Sequence, residues 1–96
     1  MTVTIERHVD GAKGRYVATV DGIEDAAETT YSIASPTLVI ADHTAVPDAM
    51  RGHGVAKALA TRMVEDARAE GVKIVPLCPF INAERQKHPD WAEVFA

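Results

Sequence analysis

The run Arg51-Gly52-His53-Gly54-Val55-Ala56 lies between an apolar, strand-like segment and a long helical stretch, and its residue types suit the binding of an anion. Gly52 and Gly54 carry no side chain, so the backbone can approach a phosphate closely. The first N–H groups of a helix starting near Gly54 would point at that phosphate, with the positive end of the helix dipole behind them. Arg51, Lys57 and Arg62 are the basic residues between Ala49 and Val64, and that stretch contains no acidic side chain. Charge therefore agrees with backbone geometry. Spacing excludes two familiar phosphate loops. The nucleotide P-loop requires Gly-Lys-Ser/Thr after four residues, which does not occur here, and the dinucleotide fingerprint G-x-G-x-x-G would need a glycine where Lys57 stands. An ordinary helix start after a glycine-rich loop is the plain alternative.

Four further side chains could move protons or attack a carbonyl: His43, His53, His88 and Cys78. Histidine titrates near neutrality and can accept a proton from an ammonium group. A structural histidine with its hydrogen bonds satisfied is the competing reading for each. No histidine pair has the i, i+4 spacing of a helical metal site, so no metal is expected. Cys78 is the single cysteine, which excludes an intrachain disulfide and a cysteine-based zinc site. Its thiol could serve as acyl acceptor, as acid, or as inert packing.

The elements that must position these residues follow an α+β pattern. Residues 2–9 alternate, with Val3, Ile5 and Arg7 on one face. Asp10-Gly11-Ala12-Lys13-Gly14 supplies turn chemistry, and residues 15–20 alternate again, which predicts a hairpin. A turn near Asp21-Gly22 leads to a third strand over 28–33, broken at Ser35-Pro36. The fourth strand, over 37–46, is apolar on both faces at Leu38 to Ala41 and should be central. A helix over 54–70 carries the stripe Val55, Ala56, Leu59, Ala60, Met63, Val64 and Ala67, with Gly71 as its stop. Residues 73–77 form the fifth strand, 80–87 a short helix ending before His88-Pro89, and 90–95 a last turn. Strand four, the long helix and strand five make a βαβ unit, hence a parallel pair with a right-handed crossover. Pro76 falls late in strand five and lacks the N–H a ladder needs, so it is expected where the two strands stop pairing.

At 96 residues the chain is read as one domain. Its 47% hydrophobic and 25% charged content is that of an ordinary globular protein. Net charge is −5 over 1–48 and +1 over 49–96, which suits an anionic cofactor in the second half and a cationic substrate near the first. Basic residues form no stripe interleaved with aromatics, so a nucleic-acid partner is not expected. The longest apolar run, Leu38 to Ala41, is far short of the roughly 20 residues a membrane span needs. With no signal-like N-terminal run, a cytoplasmic location and no membrane partner are the expectation.

The turn Arg51-x-x-Gly54-x-Ala56 resembles the Gln/Arg-x-x-Gly-x-Gly/Ala turn of the GNAT superfamily of acetyl-CoA-dependent N-acetyltransferases. With His43-Thr44-x-Val46 before it, and Pro76-x-Cys78-x-Phe80 and His88-Pro89-Asp90-Trp91 after it, the second half resembles very small members of that superfamily. The resemblance implies a compact GNAT-like fold. This would be a mixed, mostly antiparallel sheet of about five strands, a long helix crossing between strands four and five, and a short C-terminal helix. It further implies acetyl-CoA or coenzyme A as cofactor. Thr44, Ala45 and Val46 would meet the pantetheine arm in a split between strands four and five, with the Val46 N–H as oxyanion donor. Arg51, Gly52, His53, Gly54, Val55 and Ala56 would hold the pyrophosphate, and Phe80 and Asn82 would touch the cofactor from the last helix. His43, close to the expected acyl position, and Cys78, across the split, are the catalytic candidates. Many relatives have a tyrosine after strand five that protonates the leaving thiolate. Small relatives often carry an aromatic six residues after the cysteine, where this chain has Glu84. The implied activity is N-acetyl transfer to a small-molecule or peptide amine by a monomer or weak homodimer. A non-catalytic acyl-CoA-binding or regulatory module is the alternative.

Overall fold

The computed structural model describes residues 2–96. Strands β1 (Val3–Asp10), β2 (Lys13–Val20), β3 (Ile23–Ser35), β4 (Leu38–Ala45) and β5 (Lys73–Pro76) form one sheet in the order β1-β2-β3-β4-β5. The first three pairings are antiparallel, and β4 with β5 is parallel. Helix α1 (Val55–Glu70) makes the crossover between β4 and β5, and α2 (Pro79–Gln86) follows β5. Short 3₁₀ segments cover Asp48–Met50 and Pro89–Val94. This is the α+β, GNAT-like arrangement expected from the sequence.

Alternation explains which face is covered. In β2, Tyr16, Ala18 and Val20 are buried while Lys13, Arg15 and Thr19 are exposed, and in β3 the buried positions are Ala27, Thr29 and Tyr31. That inner face meets the stripe Val55, Leu59, Ala60, Met63, Val64 and Ala67 of α1. Fully burying a large apolar side chain is worth about 1.5–3 kcal/mol, so this stripe decides where α1 lies. Ile74, Ile81, Trp91 and Val94 extend the core under β5 and α2. Gly14 has to be glycine because a Cβ there would lie 2.1 Å from the Tyr31 ring, which crosses it.

Two spans differ from expectation. β3 starts at Ile23 rather than near 28, because the tight turn at Asp21-Gly22 pairs Val20 directly with Ile23. Its early residues Glu24, Asp25 and Ala26 are exposed and show no alternation. β4 ends at Ala45, and the 3₁₀ turn of Asp48–Met50 buries Met50 before the glycine run begins.

β4 also contains a bulge. Thr30 pairs with His43 and Tyr31 with Ala41, which leaves Asp42 as an extra residue. Ala41 and Thr44 stay on the inner face opposite Tyr31 and Thr29, so Asp42 and His43 both fall on the outer one. A bulge bends its strand and increases the local twist. Pairing with β5 ends at this point, at Ala41 and Pro76, as expected of a proline that cannot donate. The Cys78 N–H caps the Ala41 carbonyl at 2.8 Å.

Candidate active site

From Asp42 to Ala45, β4 has β3 on one side and no strand on the other. This is the split. The chain then passes through Val46 and the 3₁₀ turn to Gly52 and Gly54, whose φ angles are 84° and 70°. At such left-handed φ values glycine is favoured. Gly54 is the N-cap of α1 and supplies no side-chain hydrogen bond, and the first turn holds no acidic residue. Ala58 makes the first intrahelical bond, to the Gly54 carbonyl at 3.0 Å. The N–H groups of Val55, Ala56 and Lys57 therefore point out of the helix without an acceptor among the described residues.

These N–H groups open onto a groove of about 270 Å³ bounded by Val46, Met50, the Arg51 to Lys57 turn, and Phe80 and Glu84 of α2. The structure thus brings together Val46, Arg51, Gly52, Gly54, Val55, Ala56 and Phe80 of the residues singled out in the sequence. His53 is exposed and outside the groove lining, its N–H donating to Met50. Asn82 also lies outside it, its Oδ1 accepting from Arg85 at 2.9 Å. Ala45 is exposed at the end of β4. The Arg51 guanidinium turns back to Asp48 at 3.1 Å, so Lys57 is the basic group of this turn without an ion-pair partner among the described residues.

At the inner end of the split, Cys78 is 1% exposed. Its Sγ donates to Thr44 Oγ1 at 3.3 Å, and that oxygen lies 3.0 Å from Thr29 Oγ1. His43 sits on the outer face instead, next to Thr30, so the two catalytic candidates do not face each other. The outer face has its own hollow of about 550 Å³, lined by His8, Asp10, Lys13, Arg15, Thr30 and Asp42. Its charges are matched locally, Lys13 to Asp42 and Arg15 to Glu28, each at 3.8 Å. Among the described residues, no helix terminus lines it.

Neither tyrosine reaches the split. Tyr16 donates to Asp66 at 2.9 Å, and Tyr31 accepts from Arg7 Nε at 2.9 Å, both under the far end of α1. Burial, helped by the bond to Asp66, pushes the Tyr16 phenol far above the ordinary tyrosine value. Glu84 is the residue whose place the sequence did not foretell. Its side chain is 9% exposed, with Lys87 Nζ at 3.3 Å and His88 Nε2 at 3.6 Å. The available signal was its i+4 spacing from Phe80, which puts both on one face of α2.

The family model of GCN5-related N-acetyl-transferases matches residues 15–94. The chain belongs to this family. The relative named Protein NATD1 is 30% identical over 80 residues in human and in chicken, covering 83% of this chain and 71% and 73% of those proteins. The solution structure of a GCN5-like protein from Staphylococcus aureus, a candidate N-acetyltransferase, superposes with a TM-score of 0.70 at 30% identity. That match covers 95% of this chain and 87% of the other. Among the described residues, no helix of this family member is long and apolar enough to cross a membrane.

Proposed function

We propose that the protein transfers an acetyl group from acetyl-CoA to an amine. The observation that carries this reading is the uncapped start of α1, whose free N–H groups open onto a groove that Val46 borders just beyond the unpaired end of β4. GCN5-related enzymes use acetyl-CoA as cosubstrate, and the groups of this chain suit its parts. The N–H groups of Val55, Ala56 and Lys57 suit the pyrophosphate, and Gly52 and Gly54 leave it room. The free side of β4 suits the pantetheine amides, which can pair with it as an added strand would. The Val46 N–H is the candidate oxyanion donor. Bound there, acetyl-CoA supplies an acetyl group activated as a thioester.

Cys78 is already a hydrogen-bond donor, to Thr44, and this favours its thiol as the acid that protonates the departing sulfur. His43, on the outer face, would serve an amine arriving from that side. The acceptor is a small-molecule or peptide amine. The far placement of Tyr16 and Tyr31 favours a second reading, a module that binds acyl-CoA without turning it over.

Calorimetric titration with acetyl-CoA tests the first reading. One site and a raised melting temperature are expected, and absence of both heat and thermal shift removes the cofactor assignment. Release of free thiol with any of a panel of primary amines separates enzyme from binding module. Cys78→Ala should lower that release by about 100-fold, as loss of a proton donor does. Intact mass after incubation with acetyl-CoA alone should be unchanged. A single acetyl adduct absent from Cys78→Ala would assign a covalent route instead, and full turnover by Cys78→Ala and Cys78→Ser would dismiss both roles.

A further inference from the structure

The groove that suits an anionic cofactor contains a buried carboxylate. Glu84 lines it together with Phe80, Val46, Arg51 and Lys57. A negative charge there works against phosphate binding, so affinity for the cofactor does not account for it. Its two oxygens have different partners. Oε1 accepts from Lys87, which is exposed, and Oε2 faces His88 at 3.6 Å. The His88 side chain is 24% exposed and its ring is stacked on Trp91, with centroids 3.9 Å apart and planes 13° apart. Glu84 thus lies between the groove and His88, which is partly exposed and held in place by an aromatic platform. Asn82 and Arg85, the other polar groups of α2 close by, bond to each other.

We infer that Glu84 accepts the proton that an ammonium substrate must shed before it can attack, and that His88 passes it to water. This inference rests on the acetyl-transfer reading. The proton balance requires such an exit. An amine that arrives as R–NH₃⁺ gives one proton to Glu84 and becomes the nucleophile. Its nitrogen forms the new C–N bond as the C–S bond breaks. The second proton lost by nitrogen replaces the one Cys78 has given to the leaving sulfur. The net products are the amide, the free thiol and one proton released to solvent. Glu84 is then a catalytic residue and His88 a positioning and relay residue.

The test compares two acceptors at neutral pH, ethanolamine, which is charged, and hydroxylamine, which is neutral. Wild-type protein should release thiol with both. Glu84→Gln should lose about 100-fold with ethanolamine while staying within about threefold of wild type with hydroxylamine, since only the charged amine needs the base. Titrated calorimetrically, Glu84→Gln should bind acetyl-CoA as tightly as wild type or more tightly, because one repulsive charge has gone. Equal losses with both amines, or weaker acetyl-CoA binding with a lowered melting temperature, would make Glu84 structural and overturn the proposal. Should Glu84→Gln fail to fold, His88→Gln carries the same comparison, with about a tenfold loss confined to ethanolamine expected and equal rates with both amines overturning it. A selective ethanolamine defect in His43→Gln, with none in Glu84→Gln, would move the base to the outer face. Acetyl-CoA binding by wild type with no thiol release from either amine overturns the proton path alone, whereas absence of acetyl-CoA binding overturns the transfer reading itself.

Discussion

Toward its C-terminal end α1 is bound to the sheet by side chains: Arg7 of β1 pairs with Glu70 and Asp66, Tyr16 of β2 donates to Asp66, and Arg62 joins Asp66 to the Ile5 carbonyl. The N-terminal end has nothing comparable. Gly54 offers no cap, no acidic side chain stands in the first turn, and the first N–H groups open onto the groove. The helix is held firmly where no ligand is expected and left unsatisfied where one is. Anchoring one end fixes the direction of the dipole at the other, so a bound anion would meet donors already aimed.

Placing valine at Gly54 should have the largest effect. Its φ of 70° is left-handed, which costs a branched residue about 1–2 kcal/mol, and the side chain would stand where the phosphate must approach. The thermal stabilisation by acetyl-CoA, about 2.7 kcal/mol at a hundredfold excess over Kd, should vanish. A shift equal to that of wild type would show that the helix start is not the anion site.

Asp66→Ala attacks the anchored end. It leaves the buried Tyr16 hydroxyl and Arg62 without their acceptor and should cost about 2 kcal/mol, or roughly 10 °C in Tm, while the increment from acetyl-CoA stays intact. Loss of that increment would mean that the two ends are not separable.

Tyr16→Phe should have the smallest effect at neutral pH, about 1 kcal/mol, and a clearer one in alkali. Burial raises the native phenol, whereas in the unfolded chain tyrosine ionises near about 10. Above that pH the unfolded state binds fewer protons than the native state, so stability falls as pH rises. Thermal melts between pH 9 and 11 should show a steeper decline for wild type than for Tyr16→Phe, and parallel curves would refute the assignment.

The sequence made α1 legible because its apolar residues recur at helical spacing and two glycines bracket it. The β4/β5 split was legible through Pro76, since a missing N–H has only a few places in a sheet. The early part of β3 was not legible: Glu24, Asp25 and Ala26 owe their strand to the Asp21-Gly22 turn and to pairing with β2, and not to any alternation of their own. The bulge at Asp42 was invisible for a related reason, because register belongs to two strands at once. Within the site, the phosphate-binding turn could be read from glycine and charge. The separation of His43 from Cys78 could not, since it depends on that bulge and on which face of β4 each neighbour occupies. Glu84 could be placed beside Phe80, but its burial depends on how α2 packs against β4.

The bulge has a consequence for how this site would respond to mutation. If β4 receives its ligand through main-chain groups, the recognition there is carried by atoms that every amino acid shares. Substitution along Thr44 to Val46 would then be nearly silent for affinity wherever the backbone path survives. Inserting or deleting a single residue at Asp42 would be severe, since it shifts the register that keeps Ala41 and Thr44 on the inner face. A survey of point variants would therefore rank the exposed Ala45 as tolerant, and a survey of one-residue indels would rank this stretch among the least tolerant parts of the chain.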